Sequence, residues 1–294
     1  MTPPRRVVPG TTYLVTRRCT QRQFLLKPCK MVNELFLYVL ALAAARYGIQ
    51  VHAFCVLSNH FHLILTDPNA VLPAFQQFLD SLLARALNCF HGRWEHFWAP
   101  DSYSAVVLTS PSDILDKVAY VLANPAAAGL VPHGSQWPGL WSSPEQIGTT
   151  IEARRPDVFF SKNGNLPEKL SLSITPPPGF ASVDDFRERL TVALEAREEQ
   201  AARDLEGRFL GVAKILAQRP TDRPKTAEPR RGLNPRVAAR DKWKRIEILG
   251  QLKGFLESYE EALQRWREVI RDTIFPYGTY LMRVLHGALC AAPG

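Results

Sequence analysis

The chain has 294 residues, is 46% hydrophobic and 22% charged, and carries a formal net charge of +8. That composition suits one large domain or two ordinary ones and excludes a globally disordered chain. No apolar run is long enough to span a membrane, the opening MTPPRRVVPG lacks the apolar core of a secretory signal, and the five scattered cysteines form no CxxC pair, so a reduced, cytoplasmic protein is expected.

In chain order, Thr11–Cys19 (TTYLVTRRC) alternates and is rich in β-formers, which predicts a strand. MVNELFLYVLALAAARYG carries helix formers at apolar spacing, with Gly48 as its expected C-cap. IQVHAFCVLS predicts a second strand, SN a tight turn, and HFHLILT an antiparallel third strand. A turn and a second helix follow in DPNAVLPAFQQFLDSLLARALNCF, then a fourth strand in SYSAVVLTS. SPSDILDKVAYVLANP predicts a third helix, capped at Ser110 or Ser112. The order β-α-β-β-α-β, then α, predicts an α+β fold: a ferredoxin-like split βαβ domain whose antiparallel sheet carries two helices on one face. The other face is left for a site.

Residues 1–145 are expected to form this catalytic domain. Residues 146–181, rich in Pro, Gly and Ser, are expected to be a linker, and residues 182–294 a mainly helical accessory region with a basic loop. Residues 1–33 carry seven Lys or Arg and no Asp or Glu, and residues 219–245 carry ten basic groups against three acidic ones. Such blocks point to a polyanion, above all nucleic acid; solvated surface is the alternative reading.

CVLSNHFHLIL (Cys55–Leu65) places two histidines two residues apart in a strand. Positions i and i+2 share a face, so His60 and His62 project together while Phe61, Leu63 and Leu65 point away. Two imidazoles side by side can hold one divalent metal. Two core histidines would each need a polar partner in the same small volume. The chain has no HExxH and no Cys/His zinc spacing, which disfavours a closed structural zinc site.

On the third helix, at 100° per residue, Asp113 sits about 20° from Tyr120, Asn124 and Asp116 about 40°, and Lys117 about 60°. Ile114, Leu115, Val118, Val121 and Leu122 lie about 100° or more away. Tyr120 therefore stands in a polar stripe, with Asn124 one turn on. An amphipathic tyrosine at a boundary, and an Asn-Pro that only ends the helix, are the plainer alternatives. Together the parts suggest a chemistry: a metal on two His and an amide or carboxylate oxygen polarises a phosphodiester, and a phenol attacks phosphorus to form a covalent phosphotyrosine.

His-hydrophobe-His on a strand, preceded by SN, resembles the HUH motif of the single-tyrosine transposases of bacterial insertion sequences. AYVLANPAAAGLV and PRRVVPGTTYLVTRR resemble segments of their REP-associated tyrosine transposase branch, over roughly residues 5–142. The resemblance implies that His60 and His62 are metal ligands, that Tyr120 is the nucleophile that becomes linked to a 5′ phosphate, and that Asn124 is a third ligand. It further implies Mg²⁺ or Mn²⁺, where imidazole softness alone would allow zinc. The implied substrate is single-stranded DNA, often near a hairpin, and the implied assembly a homodimer associated with the nucleoid. Two segments depart from the family pattern: NPAAAGLV has alanines where a basic residue is usual, and TRRCTQRQ replaces Thr-Arg-Gly-Asn.

For DNA contact, Arg17, Arg18 and Arg22 are expected to track a backbone, with Lys117 beside the nucleophile. Trp94, Phe97 and Trp98 are candidates for stacking on unpaired bases, or for ordinary packing. In the C-terminal region PRRGLNPRVAARDKWKR is the leading DNA-binding candidate; docking on the catalytic domain or aiding dimerisation are the alternatives. The expected activity is metal-dependent cleavage and rejoining of single-stranded DNA, in transposition or in processing chromosomal repeats. Nicking alone, a silent transposase-derived DNA-binding protein, and a water-using phosphohydrolase are the competing functions.

Overall fold

A computed structural model describes residues 4–100, 103–161, 163–225 and 235–293. The first half follows the expected order. β1 (Thr11–Arg18) leads to α1 (Lys30–Tyr47), β2 (Gln50–Leu57) and β3 (His60–Asp67) make a hairpin across Ser58-Asn59, and α2 (Leu72–His91) leads to β4 (Ser104–Leu108). α3 (Pro111–Leu122) and a single turn, α4 (Asn124–Ala127), follow.

Local chemistry sets these limits. α1 ends at Gly48, whose φ of 67° suits a residue without Cβ; an added Cβ would also come within 2.9 Å of Asn69 Nδ2. The buried Asp67 carboxylate accepts from the backbone N–H groups of Asn69, Val71 and Leu72, and so opens α2. Ser110 caps α3, accepting from Asp113 N.

The central strands lie in the order β2-β3-β1-β4, all antiparallel to their neighbours, as a split βαβ unit requires. α1 and α2 pack on each other, and α3 packs on β2 and β3. The sheet then extends at both edges. β5 (Thr149–Arg154) and β6 (Lys169–Ile174) form an antiparallel pair that joins β2 in parallel at Val51↔Ile174. β7 (Val237–Ala238) joins β4 in parallel. The four strands of the expected unit are antiparallel, and the added edge strands make the seven-stranded sheet mixed.

The segment expected to be a linker, 146–181, instead contributes β5 and β6. KLSLSI alternates clearly, and its Leu172 and Ile174 are buried in the main core. α5 (Val183–Asp204) packs along α3, so the C-terminal region is docked on the sheet domain. α6 (Val212–Ala217) adds the buried Ile215 to the same core. α7 (Lys242–Arg267) buries only Phe255 and Ala262, and a small second core gathers Ala262, Phe275 and Met282, the last from α8 (Leu281–His286). Part of the basic segment expected to contact DNA, residues 229–234, lies outside the described residues.

Candidate active site

Strand register builds the site. β1 pairs with β3 so that Thr16 lies opposite His62 and Arg18 opposite His60. Thr16 Oγ1 and His62 Nδ1 are 2.7 Å apart. His60 Nδ1 is 2.6 Å from Asn59 Oδ1, and the Asn59 amide nitrogen donates to Arg22 O at 3.3 Å. Because Asn59 Oδ1 can only accept, His60 carries its proton on Nδ1. Thr16 can hold His62 in the same tautomer. The two rings lie 4.8 Å apart at 88°.

His62 is buried, and burial, with His60 and Arg18 adding repulsion, holds its pKa well below the usual imidazole range. It is therefore neutral near neutral pH, as a metal ligand must be. A fixed hydrogen bond on one ring nitrogen is how ligating histidines are oriented in metal sites. The pair thus fits a divalent ion. Among the described residues no group of three or more His, Cys, Asp or Glu could hold a metal ion.

Tyr120 comes from the other side. α3 turns its apolar residues to the sheet and leaves the Tyr120 ring 5.9 Å from the His62 ring and 38% exposed. Lys117 Nζ stands 5.6 Å from the centre of the Tyr120 ring and 3.1 Å from Asp116 Oδ2. Asn124, 9% exposed, donates its amide nitrogen to Tyr120 O at 3.2 Å.

No family model matches this chain, and no curated protein matches it. Among solved structures, one similar to it is a REP-associated tyrosine transposase bound to a REP hairpin. It is 20% identical over 47% of this chain and 81% of that chain, with a TM-score of 0.41. Another is a Deinococcus radiodurans R1 protein assigned as a transposase, 22% identical over 38% of this chain and 89% of that chain, with a TM-score of 0.30. The motifs around His60, His62 and Tyr120 resemble those of the REP-associated tyrosine transposases.

The cationic residues divide between the two faces. Arg18 and Arg22 line a small hollow with Asn59 and His60, beside the histidines. The turn that carries Arg22 is tight, with Gln21 and Arg22 both at positive φ. Arg17 points the other way: its guanidinium meets Asp80 of α2 at 3.5 Å and lies over the Trp98 ring. Trp98 is buried and donates Nε1 to Asp80 O at 2.8 Å, and Phe97 is buried beside it. Arg17, Trp98 and Phe97 thus pack together against α2, the alternative given for the two aromatic residues. Trp94 is 89% exposed and keeps an open ring face.

Several contacts around the site were not anticipated. Thr16 and Asn59 orient the histidines; alternation along β1 marks Thr16 as sharing a face with Arg18, but only the register brings it to His62. Asp116 accepts from Arg197 and Arg240, each at 2.6 Å, as well as from Lys117. Asp113 accepts from the hydroxyls of Thr109 and Ser110 and from Arg240 N. The acidic stripe of α3 thus anchors the C-terminal region. His52 is structural: its ring nitrogens meet Thr66 Oγ1 and Thr175 O, both at 2.8 Å.

Proposed function

We propose that this chain is a metal-dependent transposase that cuts and rejoins single-stranded DNA through Tyr120. The observation that carries this reading is the convergence of two oriented imidazoles and one exposed phenol, 58 positions apart in sequence, on one sheet face. The sequence motifs around them support it.

In this reading His60, His62 and Asn124 Oδ1 hold the ion. Two nitrogens and an amide oxygen suit Mn²⁺ better than the harder Mg²⁺. Bound there, the ion would withdraw charge from the scissile phosphate. Arg18 and Arg22 draw the backbone of the strand towards the histidines. The Tyr120 phenol loses its proton and attacks phosphorus; the P–O3′ bond breaks, and the departing 3′ oxygen takes up a proton. The 5′ phosphate stays on Tyr120. A 3′ hydroxyl from another strand can then attack the same phosphorus, re-forming the phosphodiester and releasing the phenol. Lys117, over the ring, favours negative charge on the phenol oxygen as it develops.

Covalent trapping tests the proposal. Protein, Mn²⁺ and labelled single-stranded DNA from the flanks of its own gene are mixed and run on a denaturing gel. A shifted, protease-sensitive band is expected for the wild type and absent for Tyr120→Phe and His62→Ala. Cleavage that survives in Tyr120→Phe without a covalent band would replace this reading with a water-using nuclease.

A further inference from the structure

The other face of the sheet holds a cavity that the histidine site does not use. Alternation on β1 puts Tyr13 opposite in direction to Thr12 and Thr16, the strand's contacts on the histidine side. Tyr13, with Ala105 and Val107 of β4, lines a half-open cavity of about 270 Å³ roofed by α7. That is near the lower end for small-ligand pockets, roughly 300–1,000 Å³.

Its lining combines two chemistries. Four cationic side chains, Arg5, Arg6, Arg236 and Lys244, come to it from three separate parts of the chain, and no carboxylate lines it among the described residues. The N-terminal segment that brings Arg5 and Arg6 is held in place by Val7 N donating to Gly278 O and by an antiparallel bridge between Arg6 and Thr279. Burial and the nearby Arg5 both depress the Arg236 pKa, so two guanidiniums are gathered here against their own repulsion. Between the cations the floor is aliphatic: Val107, Val237, Ile248 and Leu252. Thr109 and Gln251 add hydroxyl and amide groups to the wall. Tyr13, 3% exposed, forms part of the wall.

Phosphate alone would leave the aliphatic floor unused. A fatty acid would need one cation and would leave the polar wall unpaired. A nucleoside phosphate uses all three: phosphate on Arg6, Arg236 and Lys244, ring and sugar on the floor, ring-edge groups on Thr109 and Gln251. We propose that this cavity is a binding site for a nucleoside monophosphate unit, separate from the histidine–tyrosine site on the opposite face. The unit can be a free nucleotide or one unpaired nucleotide of a DNA strand.

Isothermal titration calorimetry of the full chain, without added metal, tests this with 5′-dAMP, inorganic phosphate and decanoate as probes. Saturable dAMP binding is expected, tighter than that of either other probe. It should weaken at least tenfold in the double variant Arg236→Ala/Lys244→Ala. Gln251→Trp, which fills the cavity from an exposed helix position, should weaken it equally. His60→Ala, on the other face, should leave it unchanged, and circular dichroism checks that each variant folds. Competition by oligo-dT would identify a strand nucleotide as the source, and its absence a free nucleotide; both support the site. No dAMP binding, equal binding in the cavity variants, loss in His60→Ala, or tighter binding of phosphate or decanoate would each overturn it.

Discussion

The imidazole of His62 and the phenol ring of Tyr120 lie 5.9 Å apart, inclined at 74°. Neither residue owes this to its own element alone. His62 is set by the pairing of β3 with β1, and Tyr120 by the apolar face that α3 turns to the sheet. The first consequences to test concern what holds each of them.

Thr16 is the partner of His62 Nδ1 at 2.7 Å. Thr16→Val keeps the shape and removes the oxygen. On the proposed reading Mn²⁺ binding should weaken about 10- to 100-fold, the usual cost of losing such a support, with about 1 kcal/mol of stability lost. Thr16→Ser should restore binding. Titration of free Mn²⁺ by its paramagnetic resonance signal measures this, and unchanged affinity in Thr16→Val would remove Thr16 from the site.

Asp116 gathers Lys117, Arg197 and Arg240 on one carboxylate. Arg240 is well exposed, so solvent screens its share. Asp116→Ala should cost about 1–2 kcal/mol in urea unfolding. It should also speed proteolysis within residues 205–241, as the hold of α3 on that region loosens. A wild-type cleavage pattern would show that the docking of α5 alone suffices.

His52 makes stability depend on acid. Burial drives its pKa down from 6.5 to about 4. The unfolded chain therefore takes up a proton near pH 6.5, while the folded chain resists until about pH 4. Stability rises with pH wherever the unfolded state binds more protons, so it must fall as pH drops from 6.5 towards 4. By about pH 4.5 the loss from this one group should reach about 2–3 kcal/mol. His52→Gln keeps both hydrogen-bonding capacities without titrating, so its urea midpoint should fall less between pH 7 and 4.5. Parallel curves for the two proteins would show that other groups carry the acid sensitivity.

Arg17 and Arg18 are neighbours with different work. Arg18→Ala should weaken single-stranded DNA binding and lower the salt slope by about 0.7, the value of one phosphate contact on a single strand. Arg17→Ala should leave that slope alone and lower the unfolding midpoint, since its guanidinium serves Asp80 and Trp98. Fluorescence anisotropy across a salt series separates the two. A slope change in Arg17→Ala would return it to the DNA surface.

Much of this protein was legible in the residues themselves. Period-2 alternation was enough to put His60 and His62 on one face, because side chains in any extended strand alternate. Helical spacing was enough to set Tyr120, Asn124 and Lys117 apart from the apolar face of α3. The element order was enough for the split βαβ core. These are local properties, carried by the backbone geometry of a single segment.

What remained depended on partners far away in the chain. Alternation required Arg17 and Arg18 to point in opposite directions, but only the pairing of β1 with β3 decided that Arg18 joins the histidines and Arg17 the α2 face. Proline and glycine around 146–181 suggested a linker, yet the alternating KLSLSI found an open edge at β2 and extended the sheet. Arg240 belonged to the segment expected to contact DNA, and only folding brought it and Arg197 to Asp116. Sequence by itself determined which side chains share a face, since that follows from the geometry of one strand or helix. Tertiary structure alone decided which faces meet, because register, edge pairing and charge contacts are made between segments that nothing local ties together.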